Sequence, residues 1–86
     1  MTIVAAVIPS YRVTRHILEV IGRIGPDCQR IYVVDDCCPD GSGEFVAKNC
    51  ADPRVKVLRN ERNLGVGGAV IAGIRAAIAD GATIIV

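Results

Sequence analysis

The sequence predicts an α/β fold, a parallel three-layer sheet built in the order β-α-β-α-β-α-β. Three observations carry that prediction. Short runs rich in Val and Ile alternate with stretches of helical periodicity, the pattern of parallel strands joined by crossover helices. Hydrophobic residues make up 51% of the chain but aromatics only 3%, so the core is built from Val, Ile, Leu and Ala. Mean hydropathy is +0.41, which suits strands buried on both faces.

Each element has its own signal. Thr2 to Ile8 is a continuous apolar run ended by Pro9-Ser10 and reads as a buried strand. A helix is expected from about Thr14, a plausible N-cap, with Ile17, Leu18, Ile21 and Ile24 as its buried stripe and Gly25-Pro26 as its stop. His16 lies beside that stripe and is expected in solvent. Arg30 to Asp35 is the second strand. Ser42 or Asp40 would cap a short helix over Glu44 to Asn49, which Asp52-Pro53 breaks. Val55 to Leu58 is a third strand, and Arg59 to Gly65 a polar loop. A long helix is expected from Val66 to about Asp80, packing through Ala69, Val70, Ile74, Ala77 and Ile78, with Gly81 closing it. Thr83 to Val86 begins a fourth strand. A chain that stops inside an apolar strand reads as the amino-terminal piece of a longer domain.

The totals exclude several classes. Eighty-six residues make one domain at most. The net charge of +1, from 10 basic and 9 acidic residues, gives no field for nucleic acid. No apolar run nears the roughly 20 residues of a membrane helix, and no signal peptide opens the chain; it is read as cytoplasmic. Cys28, Cys37, Cys38 and Cys50 lack the paired spacing of a zinc site. Free thiols are the expectation. A thiol redox protein would rest on Cys37-Cys38 alone, without the Cys-x-x-Cys spacing of redox folds.

The strongest chemical feature is the carboxylate pair Asp35-Asp36 at the end of Ile31-Tyr32-Val33-Val34, followed by the turn-rich Cys37-Cys38-Pro39-Asp40-Gly41-Ser42-Gly43. Parallel α/β sheets bind ligands at the carboxyl ends of their strands. Two acids there suit a polar ligand such as a nucleotide or sugar; equally, they could terminate the strand and cap the turn. Gly65-Val66-Gly67-Gly68-Ala69-Val70 resembles a dinucleotide fingerprint but follows the third strand and has Val70 at the third glycine position. It is not a Walker A loop. Glycines at a helix start permit close approach, either of a ligand to the helix terminus or of the helix to the sheet. Tyr11 could stack on a base or sit at the edge of the core.

Taken together, Val7-Ile8-Pro9-Ser10-Tyr11-Arg12, Val33 to Ser42, and Asn60 to Gly73 resemble the opening of family 2 glycosyltransferases, inverting enzymes of GT-A fold. The resemblance covers essentially the whole chain. It departs at Arg12, where asparagine is usual, and at Cys37-Cys38-Pro39, which replaces a Gly-Ser-Thr-like turn. It implies the Rossmann-like, nucleotide-binding amino-terminal half of that fold. By the same resemblance, Pro9 and Tyr11 would line the base pocket of a nucleotide-diphospho-sugar donor, UDP- or GDP-linked. Asp36 would accept a hydrogen bond from the base ring nitrogen. Side chains alternate along a strand, so Asp35 is expected to do a different job, ordering the adjoining loops or touching ribose. Asn63, Gly65, Gly67 and Gly68 would shape the pocket floor near ribose and diphosphate.

The resemblance also implies a divalent metal, Mg or Mn, and a general base in the full-length enzyme, both beyond Val86. No catalytic or metal-ligating residue is therefore expected in this chain. The spacing around Asn63 to Val70 is similar to that of members that build cell-envelope glycans or load sugar onto polyprenyl phosphate, enzymes that work at the inner face of a membrane. The other class consistent with the sequence is a non-catalytic nucleotide-binding or assembly module with the same half-fold.

Overall fold

The computed structural model describes residues 1–12 and 14–86. Strands β1 (Val4–Ser10), β2 (Arg30–Asp35), β3 (Val55–Arg59) and β4 (Ile84–Ile85) alternate with helices α1 (Ile17–Gly22), α2 (Ser42–Asn49) and α3 (Gly65–Ala79). The sheet is four-stranded and parallel throughout, in the order β3-β2-β1-β4. The expected α/β order and layering hold.

Side-chain alternation along β1 and β2 divides the molecule into layers. Ala6, Ile31 and Val33 face α1 and α2, where they pack with Ile17, Ile21 and Val46. Ala5 and Tyr32 face the other way and pack with Ala77 of α3. Every residue of β2 after Arg30 is buried, as a strand covered on both faces must be.

Gly73 brings α3 onto the sheet. A Cβ placed there would collide with Val7 Cγ1 and lie 3.1 Å from Val34 Cγ2. The buried row is therefore Ala69, Gly73 and Ala77, one residue every four along the helix. Val70 and Ile74 are half-buried, and Ile78, expected in the packing face, is exposed. Ile78 follows Ala77 by about 100° around the helix axis, enough to turn it off the sheet.

Three boundaries move from their sequence positions. Strand β1 runs to Ser10 and contains Pro9, paired in register with Val34. Val7 donates its N–H to Val86 O, so Pro9, two residues on, points its missing donor the same way. Among the described residues, bonds from β1 to the last segment of the chain reach no further than Val7, so Pro9 interrupts no described ladder bond. Helix α1 starts at Ile17, not Thr14, and buries Ile17 and Ile21; His16 is the N-cap and is exposed. The helix ends at Gly22, before Gly25-Pro26. Helix α2 starts at Ser42 behind its N-cap residue Gly41, whose φ of 66° is left-handed.

Candidate functional site

The strand order makes β1 the point where the sequence of strands changes direction across the sheet, with β2 and β3 on one side and β4 on the other. Ligand crevices of open α/β sheets lie outside the carboxyl ends of strands at such a point. A cavity of about 220 Å³ opens there, lined by Pro9, Ser10, Tyr11, Asp36, Val66 and Ala69. Its walls come from the end of β1, the residue after β2 and the first turns of α3.

Asp35 and Asp36 divide their work by the same alternation that builds the layers. Asp35 shares the face of Ile31 and Val33. Its Oδ1 accepts the Cys38 N–H at 2.7 Å and its Oδ2 the Gly43 N–H at 2.8 Å. It thus caps the start of α2 from a neighbouring strand. Gly43 is obligatory for this approach: a Cβ there would lie 2.7 Å from Asp35 Oδ2 and 2.9 Å from Asp35 Cβ. Asp35 therefore bonds to the turn after β2 and to the first turn of α2.

Asp36 shares the face of Tyr32 and Val34, toward α3. Its Oδ1 accepts the Asn60 Nδ2–H at 2.9 Å and the Leu64 N–H at 2.8 Å. It therefore ties β2 to the loop that leads into α3, and it also lines the cavity. The Leu64 amide, followed by Asn60, holds the Asp36 carboxyl below the usual carboxylate range. An ionised acceptor is thereby kept at the cavity wall with no cation bonded to it among the described residues.

Of the residues singled out in the sequence, Pro9, Tyr11 and Asp36 line the cavity. Asn63 Oδ1 accepts the Gly65 N–H at 2.9 Å and so shapes the entry to α3. Gly65 has a left-handed φ of 80°. Gly67 faces open space, and Gly68 lies against Leu64, whose Cβ would be 2.5 Å from an added Cβ. These glycines flank the cavity without appearing in its wall, and close helix-on-sheet packing belongs to Gly73 instead. Ser10, Val66 and Ala69 were missed. The signal for the last two was present: they are three residues apart at a helix start and so share a face.

The thiols sit beside this site. Cys38 Sγ accepts the Arg12 N–H at 3.0 Å and lies 3.0 Å from Ser42 Oγ. Burial pushes the Cys38 thiol up, but bonds from Ser42, Arg12 and Asp40 more than offset this and lower it overall. Cys37 is exposed, has a φ of 58°, and directs its Sγ to Glu61 O at 3.7 Å. All four cysteines are free. The Arg12 guanidinium lies over the Tyr11 ring at 5.3 Å.

A larger cavity, about 320 Å³, lies at the opposite edge and includes Arg30, Tyr32, Arg54, Lys56 and Asp80. Its charges are satisfied within the fold. Tyr32 donates its hydroxyl to Asp80 Oδ2 at 2.7 Å, Lys56 reaches the same oxygen at 3.3 Å, and Arg54 pairs with Asp52 at 2.7 Å. The smaller cavity is the better candidate because its carboxylate is not neutralised. Among the described residues no group of His, Cys, Asp or Glu is arranged to hold a metal, and no helix is long and apolar enough to cross a membrane.

Known proteins with similar sequences are glycosyltransferases of polyprenyl-type acceptors by name. The chain is 38% identical over 76 residues to an undecaprenyl-phosphate mannosyltransferase of Micrococcus luteus, covering 84% of this chain and 31% of that protein. It is 35% identical over 71 residues to a polyprenol monophosphomannose synthase of Mycolicibacterium smegmatis, covering 78% of this chain and 27% of that one. A dolichol-phosphate mannosyltransferase of Pyrococcus furiosus is 33% identical over 81 residues, 90% of this chain and 23% of its own length. The chain thus spans less than a third of each of these relatives. The family model described as glycosyl transferase family 2 matches residues 6–86, and the chain belongs to that family.

Proposed function

We propose that this chain supplies donor recognition in an inverting glycosyltransferase that moves a sugar from a UDP- or GDP-linked donor to a polyprenyl phosphate or a cell-envelope glycan. The observation that carries this reading is the cavity at the carboxyl edge of β1, with apolar walls and one ionised, uncompensated carboxylate. Pro9, Val66 and Ala69 offer surfaces for a planar base, and the Tyr11 ring offers a stacking face. Asp36 accepts a hydrogen bond from a base ring N–H. Because its Oδ1 already takes the Asn60 and Leu64 donors, Oδ2 is the atom assigned to the base. Asn63 and the backbone of Gly65 to Gly68 stand where ribose and diphosphate would leave the cavity, beside the start of α3, whose free amides favour anions.

Relatives named for transfer to undecaprenyl, polyprenol and dolichol phosphates favour a polyprenyl phosphate acceptor, and with it work at the cytoplasmic face of a membrane. Direct displacement at the anomeric carbon needs a general base, and the family implies a divalent metal. The residues described here do not fit a metal site, and neither role is assigned to this chain. The 86-residue chain alone is accordingly expected to bind nucleotide and to transfer no sugar. Product from the purified chain in a donor-transfer assay with manganese would contradict the second expectation.

Asp36→Asn tests the first. The substitution keeps an oxygen for the Asn60 and Leu64 donors and replaces the other acceptor by a donor. Calorimetric titration with UDP and GDP should show affinity lowered about tenfold to a hundredfold, the range for one charge-assisted hydrogen bond, with the melting transition retained. An unchanged affinity in a folded variant would remove Asp36 from the site.

A further inference from the structure

We infer that Cys37 and Cys38 form a vicinal-dithiol modification site, and that its oxidation by a small-molecule disulfide releases the turn that carries Tyr11. The two adjacent thiols serve different loops. Cys38 Sγ holds the Arg12 N–H and contacts Ser42 at the start of α2. Cys37 Sγ reaches Glu61 O in the loop between β3 and α3. Joining the two sulfurs withdraws both from those contacts at once. Arg12 depends on the bond it would lose. Its φ of 57° is left-handed, a conformation that costs a non-glycine residue free energy and persists only where contacts enforce it.

The chemistry is thiol–disulfide exchange. One cysteine thiolate attacks the small disulfide, forming a mixed disulfide and expelling one small thiol. The neighbouring cysteine then attacks the mixed disulfide and expels the second. The protein loses two hydrogens in forming the Cys37–Cys38 bond, and the small disulfide is reduced to two thiols. Cys37 is exposed, so the first step has access. Hydrogen bonds that lower the Cys38 thiol support its part as a thiolate. Neighbouring Cα atoms sit about 3.8 Å apart, closer than the roughly 4.4–6.8 Å of unstrained disulfides. The bond is therefore strained and readily reduced, the kind suited to a reversible switch. Sequence spacing argued against a redox catalyst, and this site is not one: it acts on the fold beside the cavity.

The experiment treats the purified chain with oxidised glutathione, with peptide mass mapping and residue-resolved amide exchange by NMR. A mass loss of two hydrogens should map to Cys37–Cys38, the Arg12 amide should exchange about twofold to tenfold faster, as expected for loss of one hydrogen bond, and dithiothreitol should reverse both. Cys38→Ser keeps an oxygen acceptor for Arg12 and should leave Arg12 exchange unchanged by oxidant. Cys37→Ser should form no internal bond. The inference is overturned if the bond forms without change at Arg12, if both thiols persist in excess oxidant, or if Cys38→Ser responds like the parent. A loss of UDP or GDP affinity on oxidation rests additionally on the proposed nucleotide site. If neither nucleotide binds the reduced chain, that reading fails while Arg12 exchange still decides this one.

Discussion

The two edges of the sheet use similar parts to opposite ends. Both present acids near strand termini and both border a cavity. At the amino edge, Asp80 meets the Tyr32 hydroxyl and the Lys56 ammonium, and Asp52 meets the Arg54 guanidinium. Arg54 further donates to the carbonyls of Ile24, Gly25 and Cys28, binding the loop after α1 to the start of β3. The charges there close on one another. At the carboxyl edge, Asp35 and Asp36 are held mainly by neutral donors: the amides of Cys38, Gly43 and Leu64 and the side chain of Asn60. Neutral donors stabilise a carboxylate without cancelling its charge. One edge therefore closes its charges within the fold, and the other keeps an uncompensated charge that the proposed nucleotide site would use.

The largest expected way to break this contrast is Gly43→Ala. The added methyl meets the Asp35 carboxylate, so the cap of α2 from β2 must open. Overpacking of this kind costs about 1–3 kcal/mol, measurable as a lowered denaturant midpoint with faster amide exchange at Cys38. Retained stability would mean that Asp35 does not hold the loop. A smaller effect is expected from Tyr32→Phe, which removes one hydrogen bond at the amino edge. Stability should fall by about 0.5–1.5 kcal/mol while UDP and GDP affinity stay unchanged. A change in affinity would couple the edges.

The smallest effect separates them by salt and acid. The Tyr32 hydroxyl, then Lys56, lowers the Asp80 carboxyl; Arg54 lowers Asp52; the Leu64 amide, then Asn60, lowers Asp36. Each folded-state value is depressed, so each contributes stability above the ordinary carboxylate range that is lost as pH falls through the folded value. Acid should thus weaken both edges. Among the bonds to these three acids, salt should weaken most the Lys56–Asp80 contact, whose side chains are 56% and 36% exposed. Equal salt sensitivity of amide exchange at the two edges would contradict the division.

Much of this was legible in the residues themselves. Alternation along Ile31 to Asp36 predicts that neighbouring acids face different layers, and they do. The apolar runs located all four strands. Boundaries were less legible where tertiary contacts override local signals. Thr14 and Ser42 look like caps, yet one helix starts at Ile17 and Asp35, from another strand, caps the other. Gly73 was hidden because its role depends on Val7 and Val34, residues distant in the chain. Pro9 reads as a strand breaker, and only the strand order shows that its missing donor faces the β4 side, away from β2, with which Pro9 pairs in register. Within the site, Tyr11 and Asp36 stood out by residue type. Val66 and Ala69 did not, because an apolar wall is made of the same residues as a core.

The central claim is that nucleotide binds at the carboxyl edge of β1, and amide chemical-shift mapping with UDP and GDP tests it most directly. Shifts should concentrate at Ser10, Tyr11, Asp36, Val66 and Ala69 and spare Arg30, Lys56 and Asp80. Shifts confined to the amino edge, or none with either nucleotide at saturating concentration, would contradict the account.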